Sequence, residues 1–221
     1  MAISPDKSKF FTLESTAPSA VAGYLNDWEK KIHRQVWSFP VADWRADWSK
    51  SDLISLQTRP SGNDRGYLYF LNLSNGRFSK ILSDITGLTT LTSPDGQRVV
   101  FSNSSLGGVD LYSYDLATQK SFSLGLKTLA EKCSWIDATN AYCAVPRQLP
   151  NGLYPDDWYQ GKVTFADDIW RLDLKQRTVS LVLRVNGSYD LTSLVISTKR
   201  GWLYAINRKD GTIQAFALSN N

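Results

Sequence analysis

The side chains in this sequence best suited to chemistry are one histidine, two cysteines and two adjacent pairs of aspartates. Their surroundings decide what each can do. His33 is the only histidine and stands in Glu29-Lys30-Lys31-Ile32-His33-Arg34. Those cations do not orient the imidazole, whereas a Ser-His-Asp arrangement needs an oriented one. The Gly-x-Ser-x-Gly elbow is absent. Gly107-Gly108 lacks the following Gly or Lys-Ser/Thr of a phosphate loop. No catalytic residue and no cofactor is therefore expected, and the chain reads as a non-enzyme.

Cys133 and Cys143 flank an expected hairpin centred on Ala138, so a simple register sets them opposite each other on adjacent strands. Cross-strand Cα separations of roughly 4.5–5.5 Å can accommodate a disulfide. Two buried reduced thiols acting as small apolar residues are the other reading, and the spacing leaves both open. With no histidine or further cysteine nearby, the interval argues against zinc. A disulfide would indicate an oxidising compartment. Asp156-Asp157 and Asp167-Asp168 lack the ligand spacing of a calcium loop, and they read as solvated loop and strand-start residues. No metal is expected.

The segment Pro146 to Ala166 is an insertion. Long loops of this kind often carry function. Tyr154, Trp158 and Tyr159 combine apolar area with hydrogen-bonding tips, as interface anchors do. Together with Asp156 and Asp157 they form the candidate binding loop. The other reading is a loop packed on itself that covers a sheet edge.

The elements that hold these residues follow from a repeat. Gly87 to Thr92 is a strand pattern rich in β-branched residues. Ser93-Pro94-Asp95-Gly96 is then a type I turn. Arg98 to Ser102, Val109 to Leu116 and Ser121 to Leu124 give three further strands. The turn recurs at Ser4-Pro5-Asp6-Lys7, Ser49 to Asp52, Ile136 to Asn140 and Thr198 to Gly201. From Ser4 to Ser49 is 45 residues and from Ser49 to Ser93 is 44, a period expected for four-stranded repeats. The third strand repeats as Leu68-Tyr69-Phe70-Leu71-Asn72-Leu73, Leu111-Tyr112-Ser113-Tyr114-Asp115-Leu116 and Ile169-Trp170-Arg171-Leu172-Asp173-Leu174. Gly23 to Trp28 and Ile213 to Leu218 are weaker copies. In this pattern Tyr112, Tyr114 and Leu116 face one neighbouring sheet and Leu111 the other.

The Ser93-Pro94-Asp95-Gly96 turn, followed by Val-Val-Phe-Ser and Leu-Tyr-Ser-Tyr-Asp-Leu, resembles the WD-repeat-like blade of the TolB type. It is also similar to blades in the propeller domains of prolyl oligopeptidase relatives. The resemblance covers nearly the whole chain as one complete blade and four degraded copies. The Trp-Asp dipeptide that closes the third strand of true WD repeats is missing. The resemblance implies a β-propeller and, as in many relatives, binding rather than catalysis. The expected fold is all-β: a propeller-like array of about five four-stranded antiparallel blades. It forms one domain over 1–221, with repeats at about 1–40, 41–84, 85–126, 127–186 and 187–221.

Composition agrees with a globular chain. Apolar residues make up 42% and charged residues 21%, and aromatics at 12% favour pleated sheets. The net charge of +4 is scattered, without the basic stripe and interleaved aromatics of a nucleic-acid surface. No apolar stretch approaches the roughly 18 residues of a membrane span, and Met1 to Phe10 lacks a signal-peptide pattern.

Only Met1-Ala2-Ile3 precedes the first turn, and the last repeat stops after its third strand near Leu218. The expectation is an open or incomplete propeller that lacks N-terminal blades or associates with a partner or itself. The parent of such a chain, like related membrane-anchored bacterial propellers, would face the periplasm or exterior. The expected function is a protein-binding or scaffolding module. The alternative is a propeller accessory to a serine peptidase of the prolyl oligopeptidase type, its catalytic domain absent from this chain.

Overall fold

A computed structural model describes residues 1–105 and 107–218. They form five antiparallel sheets in chain order. The first holds β1 (Ala2–Ile3), β2 (Lys9–Ala17), β3 (Ala20–Asp27) and β4 (Ile32–Phe39). The second holds β5 (Trp44–Lys50), β6 (Leu53–Thr58), β7 (Arg65–Asn72) and β8 (Phe78–Thr86). The third holds β9 (Thr90–Thr92), β10 (Arg98–Ser105), β11 (Gly108–Asp115) and β12 (Lys120–Ser123). The fourth holds β13 (Cys133–Trp135), β14 (Asn140–Pro146), β15 (Asp167–Asp173) and β16 (Thr178–Leu183). Its β14–β15 connection carries a short helix, α1 (Asp156–Tyr159). The fifth has three strands, β17 (Leu191–Ser197), β18 (Trp202–Asn207) and β19 (Ile213–Ala217).

Strictly local chemistry closes the hairpins. Ser93 Oγ donates to Asp95 Oδ1 at 2.5 Å and accepts the Arg98 N–H at 2.9 Å. Gly96 supplies the positive φ of +70° that the turn requires. The first turn repeats this bonding: Ser4 Oγ donates to Asp6 Oδ1 at 2.6 Å and accepts the Lys9 N–H at 2.9 Å.

Each of the three inner sheets must be apolar on both faces, because it packs on a neighbour at each side. Between the first and second sheets lie Phe11, Trp37, Trp44, Trp48 and Ile54. Trp37 meets Trp44 edge-on at 5.6 Å, and Tyr69 stacks on Phe78 at 4.6 Å. Leu68, Phe70, Val99 and Phe101 fill the next gap, with Tyr112, Tyr114 and Leu116 packed against them. Leu111 faces the opposite way, into the core that the third and fourth sheets share. The expected division of that strand between two neighbours therefore holds. Ala144, Ile169, Leu191 and Leu203 join the fourth sheet to the fifth. Among the described residues no apolar core joins the fifth sheet to the first, so the array is unclosed.

The first strands of successive sheets converge, β1 and β2 lying against β5, and β13 against β17. A 3-10 turn (Ala130–Lys132) just before β13 touches β9, β14 and β17. This convergent side positions the polar groups described next.

Candidate functional site

A cleft of about 240 Å³ opens where β5, β6 and β9 meet the Ala130–Lys132 turn. Arg45 and Asp47 come from β5, Ser55 and Gln57 from β6, Thr90 from β9, and Glu131 from the turn. On β5, Trp44 and Trp48 pack into the core while Arg45 and Asp47 are turned to the open side. The period of two thus divides the strand between support and site. Gln57 Oε1 accepts the Thr90 hydroxyl at 2.5 Å, and Ser55 pairs with Thr92 at 2.8 Å, linking two sheets through side chains.

Arg45 donates to the Tyr159 hydroxyl at 2.8 Å and to Glu131 Oε2 at 3.3 Å. The Tyr159 hydroxyl in turn bonds Glu131 Oε1. Burial is the main cause that raises the Glu131 carboxyl, opposed by the Tyr159 bond and the Arg45 charge. Tyr159 is held far above the usual phenol range by burial and then by the Glu131 charge. Asp47 differs. The packed cleft walls raise its carboxyl, yet the residue stays open to the cleft. It forms no ion pair among the described residues. The site therefore offers one uncompensated carboxylate beside an internally neutralised Arg–Glu–Tyr group.

The structure distributes the candidate loop residues unequally. Tyr154 and Trp158 are 1% and 3% exposed, packed with Val109, Leu129 and Phe165. As interface anchors these two are corrected to core residues, because their apolar area is already spent inside the protein. Burial pushes the Tyr154 phenol up to about 12, and its hydroxyl donates to Pro150 O at 2.5 Å. Asp156 Oδ2 accepts the Gly62 N–H at 2.5 Å and so ties the loop to the second sheet. Asp157 Oδ2 accepts the Leu153 N–H at 2.7 Å, the main cause that lowers its carboxyl. Tyr159 alone of the three aromatics bonds the cleft residues Arg45 and Glu131, and Arg208 donates to its carbonyl at 2.9 Å while lying over Trp158.

Beneath the loop lies a group that sequence reasoning missed. Lys132, Asp167 and Asp190 are each 0% exposed. Lys132 Nζ lies 2.8 Å from Asp167 Oδ2 and 2.6 Å from Asp190 Oδ1. Asp190 Oδ2 also accepts Trp158 Nε1 at 2.9 Å. Asp167 and Asp168 are thus strand-start residues, as expected, and are buried at the start of β15 with backbone N–H groups and cations as partners. Leu191 N donates to Asp167 at 2.6 Å and Val185 N to Asp168 at 2.9 Å. Burial raises the Asp167 carboxyl, with the Lys132 charge opposing. A lysine and an aspartate each directly preceding a first strand were the available signal.

Cys133 and Cys143 are directly opposed on β13 and β14 and form a disulfide with S–S 2.03 Å. His33 lies on the outermost strand, its Nδ1 2.7 Å from Asn26 Oδ1 and its ring stacked on Tyr24. Among the described residues no group of three or more His, Cys, Asp or Glu side chains could hold a metal ion. Among the described residues no helix is long and apolar enough to cross a membrane.

Several solved structures are similar to this array in fold. TolB from Acinetobacter baumannii is similar with a TM-score of 0.60 and 16% identity, over 96% of this chain and 53% of that one. The β-propeller domain of the Trilobed protease from Pyrococcus furiosus, described as having an open velcro topology, gives 0.63 and 11%, over 99% and 67%. This chain has a β-propeller-type fold. Oligogalacturonate lyase in complex with manganese gives 0.66 and 10%, over 99% of this chain and 64% of that one. At these identities the likeness carries the propeller fold alone. The chain spans about half to two-thirds of the length of these propeller structures. No protein-family model and no curated protein sequence matches it.

Proposed function

We propose that this propeller is a non-enzymatic binding module that receives a segment of a partner protein in the cleft between its second, third and fourth blades. The observation that carries the reading is Asp47, an unpaired carboxylate open to a cleft with polar walls from three blades. At about 240 Å³ the cleft is smaller than the usual small-molecule pocket of ~300–1,000 Å³. It suits one or two inserted side chains. A lysine or arginine would neutralise Asp47 and leave the Arg45–Glu131–Tyr159 group undisturbed. Selection from a displayed random-peptide library tests this. Enrichment of basic residues on the wild-type chain, lost on Asp47→Asn, supports the cleft. Peptides that bind Asp47→Asn equally well would remove it from recognition.

The disulfide between two buried cysteines supports folding in an oxidising compartment, the periplasm or exterior of a cell. A second reading draws on the likeness to a protease propeller: an accessory to a serine peptidase of the prolyl oligopeptidase type whose catalytic domain is carried elsewhere. Co-purification with a serine hydrolase labelled by a fluorophosphonate would favour it.

A further inference from the structure

We propose that the cleft at Asp47 continues into a second subsite, and that the two together take an extended peptide with a lysine or arginine at Asp47 and an asparagine or glutamine two residues away. The proposal rests on the reading of Asp47 as the anchor of a basic side chain, and it names the neighbouring residue that this reading leaves open. Beyond Asp47 a hollow of about 250 Å³ is lined by Ser49 of β5, Leu91 and Thr92 of β9, Pro94, and Ser134 and Trp135 of β13. Asp47 and Leu91 line both spaces, so the two adjoin across these residues.

The course of the ligand follows from β5. That strand is bulged between Asp47 and Lys50, and bulges re-aim side chains beside functional sites. Ser49 lies two residues past Asp47 and lines the hollow with it. On the other side of Asp47, Gln57 is paired with Arg45 in the ladder and is only 9% exposed. Its Oε1 is occupied by the Thr90 hydroxyl, and among the described residues its Nε2 has no partner. Unpaired polar groups thus stand on both sides of Asp47, which lays the ligand along β5 rather than across it.

The chemistry of the hollow selects the second side chain. Asp47 is the one charged residue in its lining. Ser49 Oγ and Trp135 Nε1 are buried without a hydrogen-bond partner among the described residues. An indole nitrogen only donates and a hydroxyl can donate, and a buried donor left unpaired is costly. An occupant that brings an acceptor is therefore favoured over an apolar one. A carboxylate would meet the Asp47 charge, and a second cation would leave both donors unanswered. A carboxamide oxygen has two lone pairs and can accept from both donors while remaining neutral.

The walls are fixed before a ligand arrives. Cys133, beside Ser134, is bonded to Cys143 and so ties β13 to β14. Ser55 holds Thr92 at 2.8 Å, and the Ser93 hydroxyl closes the turn that carries Pro94. Binding to such a preorganised site loses less to ordering. In an extended peptide, side chains two residues apart share one face at a spacing of roughly 6–7 Å, the same step that separates Asp47 from Ser49. The residue between them points away from the groove and is unrestricted.

The test titrates the isotopically labelled full chain with two acetylated, amidated peptides, Ala-Lys-Ala-Gln-Ala and Ala-Gln-Ala-Lys-Ala, one for each chain direction. The readout is the indole N–H signal of Trp135 in nitrogen–proton correlation spectra, assigned by its absence from Trp135→Phe. Control peptides carry leucine for glutamine or norleucine for lysine. The expected result is a saturable shift of that signal by one of the two peptides. Binding becomes about tenfold weaker when leucine replaces glutamine, the scale of two lost neutral hydrogen bonds. The preference for glutamine shrinks in Ser49→Ala and in Trp135→Phe, and a thermal melt checks that each folds, so either can serve alone. Equal binding of glutamine and leucine peptides, lost on Asp47→Asn, would overturn the second subsite and leave Asp47 as the anchor. No binding, or binding that survives both norleucine and Asp47→Asn, would remove the anchor and the subsite with it.

Discussion

Lys132 Nζ lies 2.6 Å from Asp190 Oδ1, and neither side chain has any exposed surface. The pair joins the approach to the first strand of the fourth blade to that of the fifth, and Asp167 completes it from β15. Thr89, directly before β9, forms the preceding link by accepting the Ala130 N–H at 2.9 Å. Polar groups in one repeat position thus connect successive blades where their first strands converge.

Removing the cation leaves two buried carboxylates facing each other. Lys132→Met is expected to cost about 3–5 kcal/mol, the usual consequence of stripping one partner from a buried ion pair. Asp190→Asn should cost more than Asp167→Asn. Asp190 engages Lys132, Trp158 Nε1 and Phe165 N with its two oxygens, whereas Asp167 Oδ1 has no partner. Urea midpoints of the three variants order the effects, and an Asp167→Asn loss equal to that of Asp190→Asn would contradict this account.

The Cys133–Cys143 disulfide closes a short loop, with a sequence separation of 10. For a loop of this size, chain-entropy arguments give about 2–3 kcal/mol of stabilisation. The double variant Cys133→Ala/Cys143→Ala should lose that amount and remain folded, because its alanines still fill a closed apolar core. Equal unfolding midpoints for variant and wild type would show that the bridge adds nothing.

What was legible in the sequence was what is decided locally. The Ser93–Asp95 turn is made by bonds spanning two to five residues, and a symmetric hairpin sets Cys133 opposite Cys143. Leu111 and Tyr112 face opposite neighbours because a strand alternates. The candidate site was mostly not legible. Lys132 and Asp190 are 58 residues apart and meet only because two blades stack. Trp158 and Tyr159 have similar chemistry in sequence, and only the turn of α1 sends one into the core and the other to Arg45 and Glu131.

Asp6 gives the first turn a pH dependence. The Ser4 hydroxyl and then the Ser8 backbone N–H hold its carboxyl down to about 2. A depressed folded-state pKa adds stability above the unfolded value of roughly 3.9, and that stability is lost as pH falls toward 2. Asp6→Asn should therefore flatten the stability profile between pH 4 and 2 and leave its shape unchanged at pH 7. Carboxyl NMR titration reads the group directly, and an ordinary Asp6 midpoint near 4 would show that the turn bonding is absent in solution.

Tyr159→Phe tests the cleft through Glu131. The phenol donates to a carboxylate that burial already raises, so losing it raises that carboxyl further. For an acid with a raised folded-state pKa the sign is opposite to that of Asp6. Stability is greatest with the group protonated and falls as pH rises from the unfolded value, roughly 4.3, through the folded one. The variant should cost about 1–3 kcal/mol near neutral pH, the range for leaving a buried acceptor unsatisfied. It should cost less at pH 4, where Glu131 is largely protonated in both states, so the gap between wild type and variant widens as pH rises. Urea denaturation at pH 4 and pH 7 measures it. A gap that is constant or narrows would mean that Arg45, at 3.3 Å from Glu131, holds the carboxylate without help from the phenol.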